Sequence, residues 1–524
     1  MQNVTKKLLA ITMLLSIVPM QAGSSSGSNS TFGLSYFLPR AQNGTAVDVF
    51  GWEPSIHKYD ADTFYFDFKT QSEFRQSFNS TGLGEYVFFN GTNVMNFGEA
   101  ADTDVDVNVI NFLLPDGFSS TVTAKPKVQS SITDFSFYFG LDEWCPGLYV
   151  SAHLPLVWTR WNVHLSEADI VNPNETYAAG SVVTGSTEPD AAYDSVIAAW
   201  KGNVGNAGGS GAPVWSYGVI NGSQSKTRLG DVSVNLGYDF ISKENMHLGV
   251  ALRGYFGAGG KSKAQYVFEP TIGMAGRMGV GGMVDGHVRL WERDEDHHIC
   301  AYLNGYAVHI FDNTQVRSFD LTDAHGGVGT RYNLVKELTT ITAQSATYSN
   351  LDNMINIGTQ QAKISIGAAY EVTLQFSYTA NKMNFDLGWT GGGHSKEKFS
   401  SFVNAIDPNT YILYDINGSA ADLTALVVTT GATVVQVNGV DTGSSPAAVT
   451  TANQDDYCIN NNWLNTNSAL AKSVFASCFY GNVGYTWKNN DWQPNVSLFA
   501  NVEFAGGNKT LHTWGVGLQG NVSY

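Results

Sequence analysis

After its first 22 residues the chain offers no apolar stretch approaching the roughly 20 residues that a membrane-crossing helix requires, so a helical membrane bundle is excluded. Charge is sparse, at 14% of 524 residues, and basic side chains are the scarcer kind: 29 Lys and Arg stand against 46 Asp and Glu, a net charge of −17. So acidic a chain has no phosphate-binding footprint, which removes nucleic acid as a partner. Proline numbers only 14, and no Pro-rich hinge or compositional break divides the chain. With 4 cysteines the sequence is no disulfide-built scaffold. In an exported protein an even count still permits bridges. Cys458 and Cys478, near one another in sequence, are the candidate pair, with Cys145 and Cys300 the weaker one.

Catalytic and metal-binding patterns are equally thin. Gly23-Ser24-Ser25-Ser26-Gly27 matches the letters of a nucleophile elbow but has neither the preceding strand nor the following helix. The run from Asp294 to Cys300, with His297 and His298, gathers ligand types in one turn, yet no second cluster completes a metal site at a recognisable spacing. His153 and His287 fall singly on strands and read as polar lumen groups. No Ser/His/Asn or Asp/His set on neighbouring strands can be named, so the chain reads as a non-enzyme, with no cofactor and no metal expected.

What is abundant is glycine, 55 residues, and aromatics, at 12%, together with Asn, Ser and Thr, a composition that favours β-structure. Met1 to Ala22 has a basic start (Lys6, Lys7), an apolar centre from Leu8 to Val18 and small residues at Ala22, Gly23 and Ser24. This is the pattern of a cleaved secretory signal peptide, excluded from fold reasoning.

The rest reads as a ladder of hairpins. Amphipathic strands flank short polar turns at 142–146, 242–245, 292–297, 379–382 and 488–491, while longer segments such as 164–227 and 395–470 join one hairpin to the next. In five strands the period-two alternation is clear. Phe64, Phe66 and Phe68 alternate with Tyr65, Asp67 and Lys69; Val232, Val234, Leu236 and Tyr238 with Asp231, Ser233, Asn235 and Asp239. The row Ile364, Ile366, Ala368, Tyr370, Val372, Leu374, Phe376 opposes Ser365, Gly367, Ala369, Glu371, Thr373 and Gln375. Met383, Phe385, Leu387 and Trp389 form a fourth greasy face, and Val496 to Phe504 a fifth. Glu85–Phe97 reads as a further strand, a loop or part of a plug. The chain then ends on LHTWGVGLQGNVSY, in which Trp514, Val516, Leu518, Val522 and Tyr524 share one side.

A ladder of this kind closing on an aromatic C-terminal strand resembles the porin-like β-barrels of the bacterial outer membrane. The resemblance spans the signal peptide, the hairpins and the last strand, and no particular family is assigned. It implies an all-β, closed antiparallel transmembrane barrel over 63–524, of about 12 strands and at most roughly 16, with short periplasmic turns and long extracellular loops. Residues 1–22 are then the signal peptide and 23–62 a periplasmic segment or plug, to which Phe37, Phe50, Trp52 and Pro54 could contribute. The terminal row from Trp514 to Tyr524 resembles the signal read by the barrel-assembly machinery. The implied location is the outer membrane, with lipid outside and small solutes or ions inside, alone or as a homo-oligomer.

Strand parity places Asp67, Asp134, Asp231, Asp285, Glu371, Asp386 and Glu503 toward the bore, against Lys69, Arg253 and Arg289. A water-filled lumen so lined favours cations. The expected function is passive diffusion of small hydrophilic solutes or ions. The alternatives are a plugged channel for hydrophobic substrates, or a closed barrel acting as a structural protein or adhesin through its loops.

Overall fold

The computed structural model describes residues 36–39, 44–47, 56–59, 61–99, 104–183, 186–202, 213–294, 296–341, 346–414, 427–430, 433–436, 458–487, 492–506 and 511–523. The proposed signal peptide, Phe50, Trp52, Pro54 and Tyr524 lie outside them. Twelve long antiparallel strands close into a barrel. They are β1 (Tyr65–Ser77), β2 (Lys127–Gly140), β3 (Leu148–Asn162), β4 (Asp231–Lys243), β5 (Met246–Gly257) and β6 (Met278–Asp294). The second half comprises β7 (His297–Ile310), β8 (Gly367–Ala380), β9 (Met383–His394), β10 (Val474–Thr486), β11 (Asn495–Ala505) and β12 (Thr513–Ser523). Each strand pairs with its successor, and β12 closes on β1 in the register Phe68↔Val522 and Phe74↔Val516. Closure pairs every wall strand on both edges, which is what lets strands cross a bilayer.

The two faces follow from the alternation. Leu252, Leu387, Leu498 and Leu518 point outward with 61, 72, 60 and 59% of their surface exposed. Water would penalise each such side chain by about 1.5–3 kcal/mol relative to burial; lipid does not. Exposed aromatics ring both ends of this belt: Phe139, Phe240, Trp291 and Trp487 on the side of the short turns, Phe78, Phe256, Phe311 and Trp514 on the other. These are the two girdles of an outer-membrane barrel. All five short turns fall at one end, the end where β1 begins and β12 finishes.

The long connections fold above the opposite rim. Ser223–Leu229 extends the wall beside β3. Val94–Gly98, Val107–Asn108, Ser119–Ala124 and Leu165–Val171 form a small sheet, and two three-stranded sheets lie further along the chain. Their side chains bury a large apolar cluster that includes Phe88, Phe97, Phe112, Trp200 and Tyr332, and a second around Phe319, Met354 and Trp463. The stretch Glu85–Phe97 is part of this cap: a helix, Ser80–Val87, followed by the strand Val94–Gly98.

Two expectations need correction. Ile364 and Ile366 do not face lipid; both are buried. The alternation continues through them in the sequence, but Gly367 has φ 89°, and the chain before it pairs with Asn313–Ser318 and Lys398–Phe402 in the cap. Cys458 and Cys478 are not joined by a disulfide. Cys478 sits within β10 opposite Thr390 and Glu503, while Cys458 bridges to Ile412 in the cap. Arg289, opposite Cys300 just before a bulge in β6, sits at the turn end, where its guanidinium reaches Glu292 at 3.0 Å and Glu244 at 3.7 Å.

Candidate functional site

The inner wall is polar, as parity requires. Asp67, Lys69, Asp134, Asp231, Asp285, Glu371, Asp386 and Glu503 are all buried, and Arg253 is partly so. Much of this charge is satisfied within the wall. Asp386 accepts from Asn482 at 2.6 Å and Asn384 at 3.0 Å, and from the Ser377 hydroxyl. Asp231 accepts from the Tyr255 hydroxyl and from the Met274 N–H at 2.7 Å. The Arg253 guanidinium lies 4.2 Å over the Tyr306 ring. Asn521 reaches Asp67 at 3.4 Å.

The described stretches of the N-terminal segment, 36–39, 44–47 and 56–59 among them, contact the wall and the cap. The Val47 N–H donates to Glu73 at 2.9 Å, and the Gln71 amide donates to the Val47 carbonyl at 2.6 Å. Glu73 also accepts from Asn501 at 2.7 Å and Arg75 at 2.9 Å, so one carboxylate of β1 joins the segment to β11. At the cap end, Tyr86 donates to the Tyr36 carbonyl at 3.0 Å and Arg317 covers the Tyr36 ring at 3.4 Å. Phe37 packs among Tyr86, Trp161 and Phe268. At the turn end the Lys58 N–H donates to Tyr65 at 3.1 Å. Between the segment and the wall remains a cavity of about 50 Å³, lined by Thr45, Ala46 and Val47 and by Lys69, Asp134, Asp231, Arg253 and Glu371 among others. It has room for a few waters, each needing roughly 10–15 Å³. The structure thus gathers five of the expected bore residues around one small space and leaves Asp67, Asp386 and Glu503 in other parts of the wall.

Asp285 belongs to a different group. His57, Asp239, His247 and Asp285 are all buried and place one nitrogen or oxygen each within 4.8 Å of one another. The register puts Gly249 opposite both Asp239 and Asp285, and His247 opposite His287. A Cβ at Gly249 would overlap Asp239 Oδ1 and stand 3.2 Å from Asp285 Oδ2, so the missing Cβ is what admits the two carboxylates. A bulge at Leu248/Gly249 adjusts β5 against β4 here, as bulges beside sites commonly do. His57 enters from the N-terminal segment with φ 52°, a left-handed backbone that costs a non-glycine residue about 1–3 kcal/mol. Its Nδ1 lies 2.6 Å from Asp239 Oδ2, and its ring stacks on His247 with centroids 4.2 Å apart.

Strand parity identifies Asp285 as a bore residue, puts Asp239 on the wet face of β4 and notes His287 as a lone strand histidine, but it passes over His57 and His247. The ligand-type residues come from four separate stretches, so no spacing motif could unite them. An Asp/His set on neighbouring strands therefore does exist, against the expectation from sequence.

No protein family matches the sequence, and no curated protein resembles it at significant similarity. Solved structures do align. The TodX monoaromatic hydrocarbon channel, as a deltaS2 mutant, matches with TM-score 0.30 and 7% identity over 90% of this chain and 91% of its own. The translocator domain of the autotransporter NalP from Neisseria meningitidis gives 0.27 and 7% over 90% and 91%. A Pseudomonas aeruginosa FadL homologue gives 0.26 and 7% over 94% and 97%. Likeness this distant carries no functional argument. The class rests on the closed sheet, its apolar belt and its girdles: the chain is an outer-membrane β-barrel.

Proposed function

We propose that this barrel is a channel for small hydrophilic solutes or ions, closed in this state by its own N-terminal segment, 23–62, acting as a plug. The observation that carries the reading is the double hydrogen bond of Val47 to Glu73 and Gln71, with His57 held beside Asp239. Main-chain bonding of this kind fixes a segment in place, whereas a loose periplasmic tail would bond to water. The polar wall suits hydrophilic cargo, and its excess of carboxylates favours cations once the segment leaves. Export by a cleaved signal, residues 1–22, belongs to the same reading, as does the absence of any catalytic step.

The test is planar-bilayer conductance of the protein from residue 23 and of a variant lacking 36–59. The expected outcome is rare openings for the first and steady steps for the second, with a reversal potential showing cation preference in a salt gradient. Steady conduction by the intact chain would overturn the plug. Silence of a folded deletion variant would favour a second reading, a closed barrel that works through its loops. The apolar cores of the cap, which make the loops a folded body, support that second reading.

A further inference from the structure

We propose that His57, His247 and Asp285 bind one divalent transition-metal ion of the zinc class, with Asp239 completing or orienting the site, and that the ion latches the N-terminal segment to the barrel wall. The site stands on its own geometry; its role as a latch rests on the plugged-channel reading.

Asp285 Oδ2 lies 3.4 Å from His57 Nε2 and 3.3 Å from His247 Nε2. Nitrogen and oxygen ligands about 2.0–2.1 Å from a tetrahedral zinc are separated by roughly 3.3 Å, so Asp285 Oδ2 already stands at the edge length of such a site from both imidazole nitrogens, and all the ligand atoms lie within 4.8 Å of one another. Yet His247 Nε2 and Asp285 Oδ2 have no partner in hydrogen-bond geometry, and neither has Asp239 Oδ1, although all three atoms are buried. Buried polar atoms left in this condition cost stability unless something satisfies them. The exposures of His247 and Asp285 are 3% and 2%. A cation at the point they share would satisfy all of them.

The outward-facing atoms of the same groups are each held, as they are around bound metals. Tyr149 donates to Asp285 Oδ1 at 2.7 Å. Asp239 Oδ2 sits 2.6 Å from His57 Nδ1, and His247 Nδ1 is in hydrogen-bond contact with His287 Nδ1. A proton on Nδ1 of His57 and of His247 leaves Nε2 of each with its lone pair toward Asp285, the tautomer a metal needs. Two imidazole donors select against calcium and magnesium, which take oxygen ligands. Because His57 is supplied by the segment and the remaining groups by β4, β5 and β6, the ion would join the segment to the wall.

The experiment uses the mature protein folded in detergent and stripped with a chelator. Zn²⁺ binding is followed by calorimetry, and Co²⁺ by visible absorption, whose intensity reports tetrahedral coordination. One ion per chain is expected, with binding weakened by more than roughly 100-fold in His57→Gln and in Asp285→Asn. His57→Gln lies outside the wall, so it keeps the barrel intact; heat-modifiable migration on a gel checks both variants. No binding by the folded wild type, or binding undiminished in both variants, overturns the site. Chelation should also raise the opening frequency of the wild type in bilayers. Binding without that effect overturns the latch and leaves the site, whereas failure of the plug would appear as steady conduction by the intact chain whether or not metal binds.

Discussion

Two single residues show how tightly the lumen and its cap are composed. Gly249 is glycine because its Cβ would occupy the space of Asp239 Oδ1. Gly249→Ala should lower barrel stability by about 1–3 kcal/mol, the usual cost of overpacking, measured by equilibrium unfolding in lipid vesicles, and should displace Asp239 from His57. In the cap, Arg331 is buried and makes a fork of hydrogen bonds to Asp320 at 2.8 and 2.7 Å. Asp320→Asn leaves that guanidinium without its counter-charge and should cost about 3–5 kcal/mol. Faster protease cleavage of the extracellular loops, with the barrel itself intact, is the expected readout.

Among the elements, β12 is fully legible in the amino-acid pattern. Its greasy row of Trp514, Val516 and Leu518 is exposed as parity demands, and its other face is buried. Leu518 lies mid-strand, opposite Leu498 and Ser72. Leu518→Arg should therefore destabilise the folded barrel by about 2–4 kcal/mol in denaturant titrations with phospholipid vesicles, while the same change in detergent, where a mobile micelle adapts, should cost less. β8 is legible only in part. Period-two patterning reports alternation and cannot tell a strand in the wall from one in the cap, so it assigns Ile364 and Ile366 to the lipid face. The left-handed backbone at Gly367 marks the boundary. β9, conversely, runs on through Gly391-Gly392-Gly393 to His394, where glycine hides the alternation.

Across the whole molecule, cap, wall and segment meet at Glu397. Its carboxylate accepts from Arg277 at 2.7 Å and Arg317 at 3.1 Å, and from the Ala471 N–H at 2.8 Å. Arg317 in turn covers Tyr36. Burial alone would raise the Glu397 pKa, but Arg317 and Arg277 outweigh it and hold the group below the usual carboxylate range. A depressed carboxylate contributes stability that is present above its unfolded pKa, about 4.3, and lost as pH falls through the lower folded value. Acidification below about pH 4 should thus loosen the cap from the rim, detected as increased hydrogen exchange around 36–38 and 396–398. Glu397→Gln should remove that acid dependence and show the loosened state at neutral pH.

Alternation, turn chemistry and the terminal strand are enough to specify a closed ladder of about 12 and at most roughly 16 strands and most of its two faces, because each strand's solvent is fixed locally: lipid on one side, a polar lumen on the other. Local pattern cannot say what rests against the inner wall. That depends on where a segment outside the alternating pattern comes to rest, and Val47 against Glu73 is a contact between residues 26 apart that no periodicity encodes. The same holds for His57, which meets Asp239 across 182 residues. Pairing of β4 with β5 and of β5 with β6 puts Asp239, His247 and Asp285 side by side, but only the tertiary structure brings His57 to them from outside the wall strands.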